Sequence, residues 1–196
     1  KARQGKKLGM VSVAAAFIVV ALLVMRTNLR IVQADITFKM AEPFATGNTW
    51  GLATLLYQRA IMLAPDEDYY YLFLGRSYLE QAKTLENESD KAALVNSAET
   101  DLKTAQKINP LNTDHTANLG RLFTWWAGQT TVMEERLERG NIANTYYARA
   151  LLLSPNHSTL WGEWAILLMD LLNKPDQALE CLQTAVKLDD TYNFTQ

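Results

Sequence analysis

Two histidines, His115 and His157, follow Pro110 and Pro155 at matching places in the chain. Such a pair suits a metal ion or a proton relay. It equally suits a polar residue near a helix start, and that reading is preferred. Asp66-Glu67-Asp68 carries enough charge to hold a cation, yet at a helix N-terminus the same run, like Asp114, supplies caps and favourable charge. Cys181 is the only cysteine, which excludes an internal disulfide and a thiolate zinc site. No phosphate loop, H-E-x-x-H, G-x-S-x-G or glycine-rich nucleotide motif occurs. The expectation is a chain without catalytic residues, cofactor or metal.

The informative spacing belongs to small and large apolar residues. Ala53-x3-Tyr57-x2-Ala60-x4-Pro65 recurs as Ala98-x3-Leu102-x2-Ala105-x4-Pro110 and as Ala143-x3-Tyr147-x2-Ala150-x4-Pro155. A fourth copy, Ala178-x3-Leu182-x2-Ala185-x4-Asp190, loses the proline. Each alanine lets two helices approach closely, the large residue one turn on fills the gap, and proline ends the helix. A companion pattern precedes these: Tyr71-x2-Leu74-Gly75-x2-Tyr78, Leu119-Gly120-x2-Phe123 and Trp161-x2-Trp164-Ala165-x2-Leu168.

Together the two patterns resemble the tetratricopeptide repeat, over roughly residues 34–192. The resemblance implies an all-α fold, an α-solenoid of about four helical hairpins. Pro65, Pro110 and Pro155 are 45 residues apart, against the usual 34 or so of the family. The middle two hairpins are therefore expected to be elongated, with both helices lengthened by about a turn and a half. Thr84–Lys91 and Thr131–Gly140 read as helix ends and turns, with Gly140-Asn141 as a stop. Pro43 should bend or shorten the poorly matching first helix of the first repeat. Glu134, Glu135 and Glu138, interleaved with Arg136 and Arg139, read as a solvated helix surface.

In this family the first helices usually line a concave groove that takes a peptide. On that resemblance Arg76 and Arg121, each one residue past the packing glycine, point the same way and form a ladder for carboxylate or phosphate. Tyr69, Asn118 and Trp125 would lie nearby. The alternative is a surface arginine paired with a neighbouring acid. Trp125-Trp126 and Tyr69-Tyr70-Tyr71 cannot share one helix face, so each set has members turned inward and outward. The triplets beginning at Asn87, Asn156 and Asn193 are too short to imply glycosylation.

Ahead of the repeats, Leu8–Met25 is eighteen residues without a charge. As a helix it spans roughly 27 Å, about the thickness of a bilayer core. No small-residue cleavage site follows at Val24-Met25-Arg26-Thr27-Asn28, so a transmembrane helix is preferred to a signal peptide. Residues 1–30 hold six bases and no acid, leaving thirteen bases against all 21 acids in the body. That balance argues against nucleic acid and for a basic collar at anionic headgroups. Four bases precede the span and two follow, which places the N-terminus in the cytoplasm and the repeats outside. The expected layout is a basic flank at 1–7, a span at 8–25 that contacts lipid, and a linker at 26–33. Repeats follow at 34–67, 68–112, 113–157 and 158–192, with a tail at 193–196.

The preferred function is a membrane-anchored scaffold or adaptor, whose repeats dock a protein partner or their own copies. Two other settings stay open. The layout loosely resembles the repeat-bearing tails of bacterial O-antigen ligase or polymerase proteins, and a start at Lys1 rather than Met fits a longer chain. An accessory subunit packed through Ala14-Ala15-Ala16 onto a larger membrane complex is the third.

Overall fold

The computed structural model describes residues 2–189 and 191, with side chains over 12–26, 28–189 and 191. The 193–196 tail, its Asn193 triplet and the four basic side chains ahead of the span lie outside the described residues. Among the described residues there are eight helices and no strand. They pair as α1 (Ala2–Thr46) with α2 (Trp50–Leu63), α3 (Asp68–Lys83) with α4 (Glu88–Ile108), α5 (Thr113–Gly128) with α6 (Met133–Leu153), and α7 (Ser158–Asp170) with α8 (Pro175–Leu188).

The repeating alanines explain the stack. Ala53, Ala60, Ala98, Ala105, Ala143, Ala150, Ala178 and Ala185 are all completely buried, and Tyr57, Leu102 and Tyr147 beside them nearly so. A β-carbon on Gly75 would sit 2.8 Å from Leu102 Cγ, and one on Gly120 would sit 3.2 Å from the Tyr147 ring. Each glycine thus lets a first helix rest directly on the large residue of its own second helix. The elongated hairpins are present, but the extra length is shared unevenly. Helices α4 and α6 have 21 residues against 14 in α2 and α8. Helices α3 and α5 have 16 against 13 in α7. About two turns therefore go to each second helix and less than one to each first.

Gly140 does not stop a helix. It lies buried inside α6, where a β-carbon would approach Leu172 Cδ2 to 3.0 Å. Its missing side chain makes room for the end of α7, a role that sequence spacing does not separate from a terminator. Arg136 and Arg139 are likewise more than solvated surface. The Arg136 guanidinium donates to Asp170 O at 2.9 Å, and that of Arg139 lies 4.7 Å over the Trp126 ring and donates to Trp126 O. Two helix starts, those of α4 and α5, are capped by asparagine: the Asn87 side chain accepts from the Ser89 and Asp90 N–H groups, and Asn112 from that of Asp114.

Helix α1 runs without a break through residues 26–33, the stretch marked as a linker from sequence. Pro43 falls in its last turn, so the N–H it withholds from the Lys39 carbonyl is lost only three residues before the helix ends, and no longer helix follows to be bent. The helix ends in a Schellman motif, with Thr49 N–H on Phe44 O, Asn48 N–H on Ala45 O, and Asn48 at φ 57°. Residues 12–33, side chain 27 aside, are exposed, whereas Ala34, Phe38, Ala41 and Ala45 join the core.

One half-buried carboxyl in α4 sets a pH dependence. Burial raises the pKa of Asp101 from 3.8 to about 6. The folded chain then holds a proton the unfolded chain has released between pH 4 and 6, so stability falls as pH rises through that window. Above it the charged carboxylate stays partly desolvated. Asp101→Asn is expected to stabilise at pH 7 by about 1 kcal/mol, well under the nominal shift because solvent still reaches the group. Denaturation midpoints at pH 4 and pH 7 check this: the gain should vanish at pH 4.

Candidate functional site

The first helices of successive hairpins line a concave groove. Between α1 and α3 lies a cavity of about 830 Å3 walled by Phe38, Trp50, Tyr57, Tyr69, Tyr70 and Phe73. A second cavity of about 340 Å3 lies between α3 and α5. Tyr69, Arg76, Asn118, Arg121 and Trp125, the five residues singled out from sequence, all line this second cleft. Tyr69, Phe73, Arg76 and Glu80 line both, so the two form one continuous groove.

The two arginines do not act as a pair. Arg121 donates from Nε and Nη2 to the two Glu163 carboxylate oxygens at 2.8 and 2.9 Å. Burial disfavours its charge, but the Glu163 carboxylate more than offsets this and holds the guanidinium pKa above its usual value. Arg121 is thus committed to a bridge from α5 to α7, and the two-arginine ladder is not formed. The repeat spacing explains the difference. Forty-five residues before Glu163 stands Asn118, a neutral amide whose side chain donates to Asp114 O at 2.8 Å. Arg76 therefore meets no carboxylate where Arg121 meets one. It is exposed, with its guanidinium carbon 5.2 Å from the Phe73 ring centre.

The other groove cations are occupied. Lys39 pairs with Asp35 at 2.7 Å and Lys83 with Glu80 at 2.6 Å. Among the described residues, Arg76 is the cation of the groove that has no ion pair. Ser77 is 1% exposed beside it, and its hydroxyl has no partner among the described residues. Phe38, Phe73 and Trp50 were not legible as groove residues. Phe38 comes from the helix whose repeat pattern is weakest, although Phe73 stands four residues past Tyr69 and three before Arg76.

The histidines are not brought together. His115 is completely buried, and its Nε2–H donates to the Asp68 carboxylate at the start of α3. Burial works against that carboxylate, but bonds from His115 and Asn109 prevail and hold its pKa below the usual value. His115 thereby ties the second hairpin to the third. His157 instead occupies the N-cap position of α7, where its side chain makes no capping bond. No cluster of three or more His, Cys, Asp or Glu side chains suited to a metal occurs among the described residues.

No protein-family model matches this chain, and no curated protein matches it. Solved structures do. A thermophilic TPR protein of Thermus thermophilus, TTC0263, aligns with a TM-score of 0.65 at 20% identity, over 81% of this chain and 75% of its own. PilF of Pseudomonas aeruginosa aligns with a TM-score of 0.65 at 14% identity, over 83% and 64%. MamA from Desulfovibrio magneticus RS-1 aligns with a TM-score of 0.61 at 12% identity, over 82% and 77%. Identities this low speak for the fold alone. On that ground, and on its glycine and alanine packing, the chain is a solenoid of the tetratricopeptide fold.

Proposed function

We propose that this chain is a membrane-anchored scaffold, without catalysis of its own, that holds a protein partner in the groove across α1, α3 and α5. The tetratricopeptide fold supports a protein-interaction role, because stacked hairpins leave an extended concave surface. The observation that carries the groove is Arg76: an exposed guanidinium that, among the described residues, has no ion pair, set among aromatic walls beside the buried Ser77 hydroxyl, which has no partner among those residues either. A short peptide segment would place an apolar or aromatic side chain against Tyr69 and Phe73 and a polar group on Arg76. Trp125 and Asn118 would border it, while Arg121 shapes the wall through its bridge to Glu163.

The membrane part rests on α1. It is the one helix among the described residues long and apolar enough to cross a bilayer. Its residues 13–25 are apolar on every side and exposed, which in water would be costly. The excess of basic residues ahead of the span favours repeats on the extracytoplasmic side. No described residue favours the ligase-tail or accessory-subunit setting over this one.

The test is crosslinking mass spectrometry on native membranes through the lysines of the repeats. The chain with Arg76→Glu is expected to lose about tenfold or more of its crosslinks to a defined partner, the scale of a central arginine contact. Arg121→Glu is the wrong probe, since it would set two carboxylates against each other and loosen the α5–α7 packing. Unchanged crosslinks in Arg76→Glu and in Tyr69→Ala would rule out the groove as the docking surface.

A further inference from the structure

Each second helix of the stack meets the next first helix through residues that directly follow its repeat alanines. Thr54 accepts a hydrogen bond from Gln81, Gln106 donates to Thr116, and Asn144 accepts from Trp164. Ile61 packs in one cluster with Tyr70, and Leu151 in one cluster with Leu160. The equivalent residues of α8, after Ala178 and Ala185, are Leu179 and Val186. They are 54% and 48% exposed, and no helix follows α8 among the described residues. A terminal helix that faces water carries polar residues on that side, whereas these two are apolar.

The first helices have the matching face. Tyr70, Leu74, Leu119 and Leu160 are buried, each in a cluster with residues of the second helix before it. Each stands one or five residues ahead of the close-contact residue of its helix, Gly75, Gly120 or Ala165. In α1 the close-contact residue is Ala41, which packs with Tyr57. Counted from it, Ile36 stands where Tyr70 and Leu160 stand, and Met40 where Leu74 and Leu119 stand. Both are 55% exposed. A bilayer does not account for them, because Ile36 lies roughly 16 Å along α1 past Met25, outside the hydrocarbon core.

We propose that α8 of one copy of this chain stacks on α1 of the next, with Val186 against Ile36 and Leu179 against Met40. The three junctions inside the chain show what covers each face: a second helix lies on the following first helix, in this register. In the last of them the corresponding pairs are Leu151 with Leu160 and Asn144 with Trp164. A second copy is the occupant because one chain carries both halves of the junction, each apolar at the two places where the halves meet. The contact is head-to-tail rather than two-fold, so it repeats from copy to copy. It rests on the repeat fold, and it stands whether or not α1 crosses a bilayer.

The test co-expresses two single-cysteine forms of the full chain, Ile36→Cys and Val186→Cys, with the buried Cys181 left in place and the native chain as control. A short bis-maleimide is expected to give dimers about tenfold more readily from the pair than from either form alone, because thiols facing across a junction have a high effective concentration. A chain carrying both cysteines should give a ladder of multimers. Leu179→Glu, or Met40→Glu on the other half, should abolish both products without lowering the melting temperature, since both residues are exposed. Dimers from Val186→Cys alone would reveal a two-fold contact instead and overturn the junction. So would a pair that crosslinks no better than its members, products that survive both glutamate variants, or adducts only with other proteins.

Discussion

Gly75→Ala is expected to destabilise the chain by about 2 kcal/mol, although alanine is the better helix former by about 1 kcal/mol. The added β-carbon would sit 2.8 Å from Leu102 Cγ and 3.0 Å from the Ala98 carbonyl oxygen. Neither neighbour can withdraw: Leu102 is completely buried and the carbonyl belongs to the α4 backbone. Gly51→Ala is the control, since nothing lies within 4 Å of a β-carbon there. That substitution should stabilise by about 0.5–1 kcal/mol. Chemical denaturation of the two variants therefore separates intrinsic helix preference from packing. In a Leu102→Ala background the Gly75→Ala penalty should shrink, leaving only the contact with the Ala98 carbonyl oxygen, a non-additivity expected of residues in contact. Equal effects of Gly75→Ala and Gly51→Ala would remove the close-contact account.

Tyr147→Ala should cost more, about 3–5 kcal/mol, lowering the melting temperature by roughly 10 °C. The ring is 2% exposed and fills the space that Gly120 leaves against α6. Its hydroxyl is secondary. It lies 3.4 Å from Glu163 Oε2, a long contact to an oxygen already held by Arg121. Burial first, and the Glu163 charge second, raise the phenol pKa, so the hydroxyl stays protonated and its loss removes only its contacts with Glu163 and Thr124. Tyr147→Phe should therefore cost about 1 kcal/mol or less. A phenylalanine variant as unstable as the alanine variant would shift the role from ring to hydroxyl.

The groove shows where reading by repeat succeeds and where it stops. The position one residue past the packing glycine falls on the same cleft in both repeats, at Arg76 and at Arg121. Their different chemistry turns on a third position, where one repeat has Glu163 and the previous one Asn118. Comparing that position at a spacing of 45 residues would have exposed the asymmetry, but only once Glu163 was known to face Arg121. Gly140 failed for a related reason. Whether a glycine ends a helix or admits a neighbour depends on what lies opposite, here Leu172 from a different hairpin.

The hairpin repeat, the two elongated middle hairpins and the apolar first helix were all legible in the residues themselves. These follow from short-range regularities: alanine and glycine where helices touch, a large residue one turn on, proline at the end, and an unbroken run without charge. Three features had to wait for the stacked hairpins: how the extra length is divided, that α1 passes straight from its apolar segment into the repeats, and which groove arginine is left free. Each of those depends on contacts between residues tens of positions apart, whose side-chain directions are set only when the hairpins stack.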